Sequence, residues 1–270
     1  MRIVERFFIN TKTEGAQIKL TVAIITYNEE NNIGRCISSV LEIADEILVV
    51  DSFSTDKTEE ICKSFGVRFV KNPFIGHIEQ KNYALAISSH EHVLSLDADE
   101  ALSPELLIEI KKIKSQFILD AYAFNRLTNY NGFWVRHSGW YPDKKLRLVK
   151  KDKALWGGSN PHDILELKDK IKEVGFLKGD LLHYSYDSIA AHINQTDKFT
   201  TIAARAAFKE GKKSSLFKIF TRPFLKFLRD YFLKLGFLDG RYGFIICCIN
   251  SLYALLKYSK LYDLEKGKAI

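Results

Sequence analysis

From residue 20 to residue 104 the chain alternates short, unbroken apolar runs with segments whose apolar side chains recur at helical spacing. The run LTVAIIT (20–26) is followed over residues 29–41 by Ile33, Ile37, Val40 and Leu41 on one helical face. EILVVD (46–51) reads as a second strand, and Ser54, Thr55 and Asp56 open a helix reaching about Phe65, with Gly66 as its stop. A short third strand at 67–70, a helix at about 77–89 and a fourth strand at 92–96 follow. Ser103 and Pro104 then occupy the cap and first-turn positions of another helix. Unbroken apolar runs suit strands covered on both faces. The expected fold class is therefore α/β, with a doubly wound, mostly parallel sheet.

Such sheets bind ligands beyond the carboxyl ends of their strands, and three of the four ends here are polar. Thr26, Tyr27, Asn28 and Glu29 follow the first strand, Asp51 and Ser52 the second, and Asp97, Ala98 and Asp99 the fourth. Side chains alternate along a strand, so Asp97 and Asp99 can point the same way. Two such carboxylates repel unless a cation lies between them, and hard oxygen ligands suit Mg²⁺ or Mn²⁺, which in turn bind diphosphates. The alternative is a polar turn closing a buried strand. Asp51 likewise either accepts hydrogen bonds from a nucleobase or ribose, or caps the next helix, although Ser54 and Asp56 already offer caps.

A chain of 270 residues with 46% hydrophobic content suffices for one large domain, or a domain with an appendage. Its 40 basic against 33 acidic residues give +7, which favours phosphate-bearing partners. Cys36, Cys62, Cys247 and Cys248 show neither metal-ligand spacing nor a paired framework, which suits a reducing, cytoplasmic location. MRIVERFFINTK has too short an apolar run for a signal peptide.

The blocks VAIITYNEENNIGRCISSV, ILVVDSFSTDKT, GHIEQKNYAL and SLDADE together resemble the nucleotide-binding half of glycosyltransferase family 2, the inverting GT-A enzymes. GWYPDKKLRLVKK and NPHDIL resemble a subset within it, the lipopolysaccharide core enzymes of the β-1,4-glucosyltransferase type, and the likeness covers roughly residues 20–185. The resemblance implies that Thr26, Asn28 and Glu29 line a nucleotide pocket, that Asp51 faces the base, and that Gln80, Lys81 and Asn82 approach the nucleotide or its diphosphate. Asp97 would sit near the ribose and metal, and Asp99 would ligate the metal, Mg²⁺ or Mn²⁺. Ser52 departs from the second acidic residue often found there. Lys81 is also a suitable point charge for phosphate on chemical grounds, or else a solvated helix lysine.

Inverting transfer needs a general base for the acceptor hydroxyl. By resemblance that base is Asp163, where relatives commonly carry Glu, one methylene longer; a turn aspartate after Pro161 is the plainer reading. His162 is a metal ligand, a base or a packing residue. Arg147, in an expected strand over 144–149, is a candidate for the diphosphate, or simply a solvated charge. The aromatic residues Tyr130, Phe133, Trp134, Trp140, Tyr141 and Trp156 either stack on sugar faces or belong to the core.

Beyond Tyr186 the composition shifts, giving expected divisions of 1–19 (an extra edge strand or an arm), 20–186 (catalytic) and 187–270 (helical extension). A helix over 187–209 is followed by a second from about Ser214, in which Pro223 is expected to restart or kink the chain. Phe217, Phe220, Phe224, Phe227, Tyr231 and Phe232 form a seam, with Lys218, Arg222, Lys226, Arg229 and Lys234 largely elsewhere. This basic amphipathic pattern lies on an anionic inner-leaflet surface, or packs on the catalytic domain. GFIICCINSLYALL (243–256) is shorter than the roughly 20 residues that span a bilayer, so peripheral association is expected. Tyr242, Tyr253, Tyr258 and Tyr262 suit an interfacial belt or a tyrosine-rich core.

The expected activity is transfer of a single sugar from a nucleoside-diphosphate sugar, a UDP-hexose by resemblance, to a lipid-linked glycan. Rivals are a polyprenyl-phosphate acceptor, a silent nucleotide-sugar-binding module, and a nucleotidyltransferase, which lacks its glycine-rich loop here. The basic clusters match no nucleic-acid motif.

Overall fold

The computed structural model describes residues 2–4, 17–159, 162–168 and 173–270, with 2–4, 159 and 162 described by backbone alone. The chain divides into two compact units, residues 1–126 with 143–183, and residues 127–142 with 184–270.

The first unit begins with an edge strand, β1 (Arg2–Val4), and continues β2 (Leu20–Thr26), α1 (Ile33–Val40), β3 (Glu46–Asp51), α2 (Thr58–Ser64), β4 (Arg68–Lys71), α3 (His77–Ile87) and β5 (His92–Asp97). Along the chain there follow β6 (Glu100–Leu102), α4 (Pro104–Ser115), β7 (Ala121–Tyr130), β8 (Phe133–Val135), β9 (Asp143–Lys150), β10 (Ala154–Ser159), β11 (His162–Leu167) and β12 (Glu173–Tyr186), of which β8 and the last residues of β7 and β12 belong to the second unit. The sheet order is β1-β12-β7-β9-β5-β2-β3-β4, with β6 beside β12 and β8 beside β7, while β10 and β11 form a separate hairpin. β5, β2, β3 and β4 are mutually parallel, as the alternation of runs implies. β9 extends this block in the antiparallel sense beside β5, and β7 pairs antiparallel with β9.

Successive residues of β2 enter different layers. Val22 and Ile24 pack with Ile33, Ile37 and Val40 of α1 and Leu106 and Ile110 of α4. Ala23 packs with Leu48, Val50 and Val93 and with Ala84 and Leu85 of α3. With both faces covered, period-two polarity disappears and the strand reads as an unbroken apolar run. Each fully buried Ile or Leu contributes about 1.5–3 kcal/mol, so these layers hold the strand ends in fixed positions.

Two helices start later than the sequence implies. The backbone N–H groups of Asn28, Glu29 and Glu30 are taken by Ser54, Thr58 and Asp56 side chains, while Asn28 Oδ1 accepts from the Thr55 N–H. These loop-to-loop bonds satisfy groups that an extra helical turn would otherwise use. α4 starts as expected, with Ser103 Oγ accepting from the Leu106 N–H.

The second unit carries α5 (Ile189–Lys209), α6 (Leu216–Leu228) and α7 (Gly240–Glu265), with one π-helical turn over Arg229–Leu233 and a 3₁₀ turn over Gly236–Asp239. α6 runs through Pro223 without ending. α7 is 26 residues long, and the stretch Gly236–Glu265 is sufficient, by length and composition alone, to cross a membrane. The apolar run seen in sequence is thus only part of a longer helix. Tyr130 is fully buried, with Trp140, Tyr186, His192 and Tyr242 ring centroids 5.4–6.0 Å away. These aromatics therefore form core rather than a sugar platform.

His192 is buried, its Nδ1 3.2 Å from the Tyr130 hydroxyl, and burial pushes its pKa down to about 4. The unfolded chain takes up this proton near pH ~6.5, so between those values it binds more protons than the folded one. Stability is full above pH ~6.5 and falls as pH drops towards 4, by about 3 kcal/mol for this group. Denaturant midpoints measured from pH 7 to 4.5 should show that slope in the wild type and a flatter one in His192→Gln.

Candidate active site

The carboxyl ends of β2, β3 and β5 lie side by side in register, with Thr26 opposite Asp51 and Ile25 opposite Asp97. Asp51 is fully buried, accepting from the Ser54 N–H at 2.9 Å and the Ser54 hydroxyl at 2.5 Å. It thus tethers the loop after β3. Asn28, at φ 53°, locks the two loops together, and Glu29 Oε2 accepts from Asn32 Nδ2 at 2.7 Å. Tyr27 and Phe53 are exposed beside this junction, Phe53 at φ 63°. A bulky residue in the left-handed region is uncommon and holds its ring outward. Gln80 is buried between Asn72 and Ser52, accepting from Asn72 Nδ2 at 2.7 Å and donating to Ser52 Oγ at 3.1 Å.

A charged network stands at the end of β5. Lys81 of α3 is buried, its Nζ 2.9 Å from Asp97 Oδ1 and 2.7 Å from Asp163 Oδ2 at the start of β11. Arg147 of β9, also buried, places Nη2 3.2 Å from Asp97 Oδ2 and 3.0 Å from Glu100 Oε1. Glu100 Oε2 accepts the Asp97 N–H at 3.0 Å and thereby shapes the turn between β5 and β6. Trp156 lies under both cations, 4.5 Å from Lys81 Nζ and 5.0 Å from the Arg147 guanidinium carbon. Burial alone pushes the Asp97 pKa up, but Lys81 and then Arg147 outweigh it and hold the carboxyl well below the usual range. Burial likewise opposes the Arg147 charge, yet Glu100, Asp97 and Asp163 raise its pKa above the ordinary value. Asp97 and Arg147 are therefore both ionised at neutral pH.

Asp99 stands apart from this network, its Oδ2 3.2 Å from Nε2 of His183 on β12. Asn82 donates to the Trp156 carbonyl at 2.9 Å and accepts its N–H at 3.0 Å, fastening the β10–β11 hairpin to α3. Among the predicted site residues, Lys81, Asp97, Arg147 and Asp163 converge in one network, Thr26 and Asp51 meet at the neighbouring strand ends, and Asn82 clamps backbone. The His162 side chain lies outside the described residues. Sequence reasoning named neither His183 nor Glu100 nor the cation platform of Trp156. Only the Glu three places after Asp97 was visible as a signal.

Among the described residues, several buried side-chain nitrogen and oxygen atoms lack a hydrogen-bond partner. Five of them, Thr26 Oγ1, Arg147 Nε and Nη1, Trp156 Nε1 and His183 Nδ1, belong to this site, where Asp97 Oδ1 has the Lys81 ammonium beside it. Buried polar groups are otherwise satisfied, so such a concentration marks a place built for polar ligands. Among the described residues no group of three or more His, Cys, Asp and Glu side chains is placed to hold a metal. Asp99 with His183 nevertheless offers a carboxylate and an imidazole side by side. That donor pair fits a divalent ion such as Mn²⁺ that takes its other ligands from phosphate and water.

The sequence model of "Glycosyl transferase family 2" matches residues 21–165. An uncharacterized glycosyltransferase of Rickettsia typhi is 34% identical over 256 residues, covering 92% of this chain and 88% of that protein. The lipopolysaccharide core biosynthesis glycosyltransferase LpsC of Rhizobium meliloti is 29% identical, covering 94% of this chain and 95% of its own. Among solved structures, glucosyl-3-phosphoglycerate synthase of Mycobacterium tuberculosis, in complex with Mn²⁺ and UDP-glucose, aligns over 47% of this chain and 51% of that one. Its identity is 22% and its TM-score 0.36, a likeness too partial to carry a site assignment. With the family match spanning more than half the sequence and relatives aligned along almost all of it, the chain belongs to glycosyltransferase family 2 and is a glycosyltransferase.

Proposed function

We propose that this enzyme moves one hexose, with inversion, from a nucleoside-diphosphate sugar such as a UDP-hexose to a lipid-linked glycan of the lipopolysaccharide-core kind, at the cytoplasmic face of the plasma membrane. The observation that carries the donor half is the gathering of unpartnered buried donors and two cations at the ends of β2, β3 and β5. The acceptor half is supported by the full-length likeness to LpsC.

Thr26, Asn28, Glu29 and Asp51 border the nucleoside, with Gln80 bracing the loop after β3 and Tyr27 and Phe53 offering ring faces to the base. Lys81 and Arg147 supply positive charge to the diphosphate, and Asp97 keeps both cations in place. Asp99 and His183 would hold the divalent ion, Mg²⁺ or Mn²⁺, with Asp97 the other aspartate of the 97–99 segment, and the ion would offset charge on the leaving diphosphate. Asp163 accepts the proton of the acceptor hydroxyl as the new carbon–oxygen bond forms and the bond to phosphate breaks. Lys81, 2.7 Å away, fixes the orientation of the Asp163 carboxyl group. A single displacement needs no enzyme nucleophile.

Asp99→Asn should weaken Mn²⁺-dependent donor binding at least about tenfold, or 1.4 kcal/mol, in calorimetric titrations with UDP-sugars, while leaving metal-free binding unchanged. Incubation with a panel of sugar nucleotides and Mn²⁺, with core-type lipid or polyprenyl phosphate as acceptor, tests the whole reading. Nucleoside diphosphate release only with polyprenyl phosphate would replace the acceptor, and no release with any donor would end the proposal.

A further inference from the structure

Within the second unit, α6 and the turns after it present a dense apolar surface. Phe217, Phe220 and Phe224, at 76%, 73% and 62% exposure, form one stripe on α6, and Leu225, Phe232, Leu233, Leu235, Phe237 and Leu238 are also exposed. A soluble unit gains nothing from holding so many large side chains in water, and contiguous patches of this kind mark contact surfaces.

The charge around the patch selects the partner. Residues 212–241 contain eight basic and two acidic residues. Both acids are turned inward. Asp230 is 1% exposed and held by Lys226, Arg229 and Asn250, and Asp239 is 4% exposed, accepting from the Arg136 and His137 N–H groups. Lys213, Lys218, Arg222, Lys234 and Arg241 are left to set the surface potential of the segment. A second copy brought face to face would set these cations against one another. An anionic surface that also dissolves aromatic rings has the required chemistry, and a phospholipid leaflet is such a surface.

The turn is rigid. Leu235 adopts φ 55°, a Cβ on Gly236 would lie 2.8 Å from both the Asp230 carbonyl oxygen and Cys247 Sγ, and one on Gly243 would lie 1.9 Å from the Gly236 carbonyl oxygen. Only glycine allows α7 to approach the turn so closely, so Leu233, Leu235, Phe237 and Leu238 are presented on a fixed tip. α7 itself carries polar ties on two sides, Lys260 to Asp197, Thr200 and Thr201 of α5, and Ser251 to the Pro223 carbonyl of α6. Those ties suit the inner helix of a three-helix unit better than a lipid-spanning one.

We infer that α6 and the 229–239 turns form a monotopic docking face for an anionic phospholipid leaflet, inserting the Phe217, Phe220 and Phe224 stripe and the leucine-rich tip while the basic side chains meet headgroups. This gives the peripheral attachment in the function proposed above a physical site, and vesicles alone decide it. In co-sedimentation, full-length protein should bind phosphatidylcholine vesicles containing phosphatidylglycerol, bind pure phosphatidylcholine at least about tenfold less, and lose binding as salt rises. The triple variant Phe217→Ser, Phe220→Ser, Phe224→Ser and the double variant Lys213→Glu, Arg222→Glu should each weaken anionic binding about tenfold or more, with nucleoside diphosphate release to a soluble acceptor unchanged. Equal binding by wild type and triple variant, or indifference to lipid charge, would overturn the inference. So would a dimer in velocity sedimentation that the triple variant dissolves, or retention in native membranes until detergent is added. A wild type that binds vesicles but consumes no donor would sink the catalytic reading and leave this one standing.

Discussion

Asp163→Asn should bind donor as the wild type does, within about twofold, and turn over about a thousandfold more slowly, the order expected when a positioned general base is removed. The separation between binding and rate is what matters. Asn keeps the shape of the side chain but loses the charge that holds Lys81 on one side, while Asp97 still holds that ammonium at 2.9 Å. Donor affinity measured by calorimetry and single-turnover rates measured by quenched flow report the two quantities independently. A variant with near-normal rates would remove Asp163 from the role of base and direct attention to Glu166, which pairs with Leu155 across the same hairpin.

Arg147→Ala is expected to destabilise the first unit by about 3–5 kcal/mol, because it leaves the fully buried Glu100 carboxylate with only Arg126, 3.7 Å away, and Asp97 with one cation instead of two. Chemical denaturation monitored by tryptophan fluorescence measures this directly. The double variant Arg147→Met, Glu100→Gln should recover much of the loss, since a neutral amide in that position needs no counter-charge. If Arg147→Ala is as stable as the wild type, the network is ornamental to folding and its arginine is held for ligand alone. The pH dependence adds a signed check. Asp97 is held ionised by Lys81 and Arg147, so it stabilises the fold above the ordinary carboxylate range and ceases to do so as pH falls through its depressed pKa. Arg147→Ala should move that acid loss to higher pH.

Much of the parallel block was legible because its strands obey one physical rule. β2 and β3 have the boundaries that their apolar runs imply, and α4 starts at the serine–proline cap. The helix starts at 29 and 54 failed for a reason visible only in three dimensions. Ser54, Asp56 and Thr58 turn side-chain oxygens to the opposite loop, so residues that look like caps serve as loop ties, with Asp56 also accepting from the Thr58 N–H. Asp97, Lys81, Arg147 and Asp163 were named as site residues, but nothing in linear order places α3, β9 and β11 around one carboxylate. His183 was missed because a lone histidine in an ordinary strand carries no pattern, and its meaning comes from Asp99 lying 3.2 Å away. Asn82 has a structural partner that its position in the chain does not reveal. It sits in a motif that resembles a donor-binding block, and its amide exchanges two hydrogen bonds with the Trp156 peptide.

That amide has an implication for anyone exchanging parts among related transferases. Because it staples Trp156 of the β10–β11 hairpin to the helix bearing Lys81, the proposed base and the proposed diphosphate-binding lysine ride on a single mechanical piece. A graft of the hairpin that omits its helical counterpart should therefore yield a protein that folds with its proton acceptor out of alignment, whereas the two segments transplanted together should retain their mutual spacing.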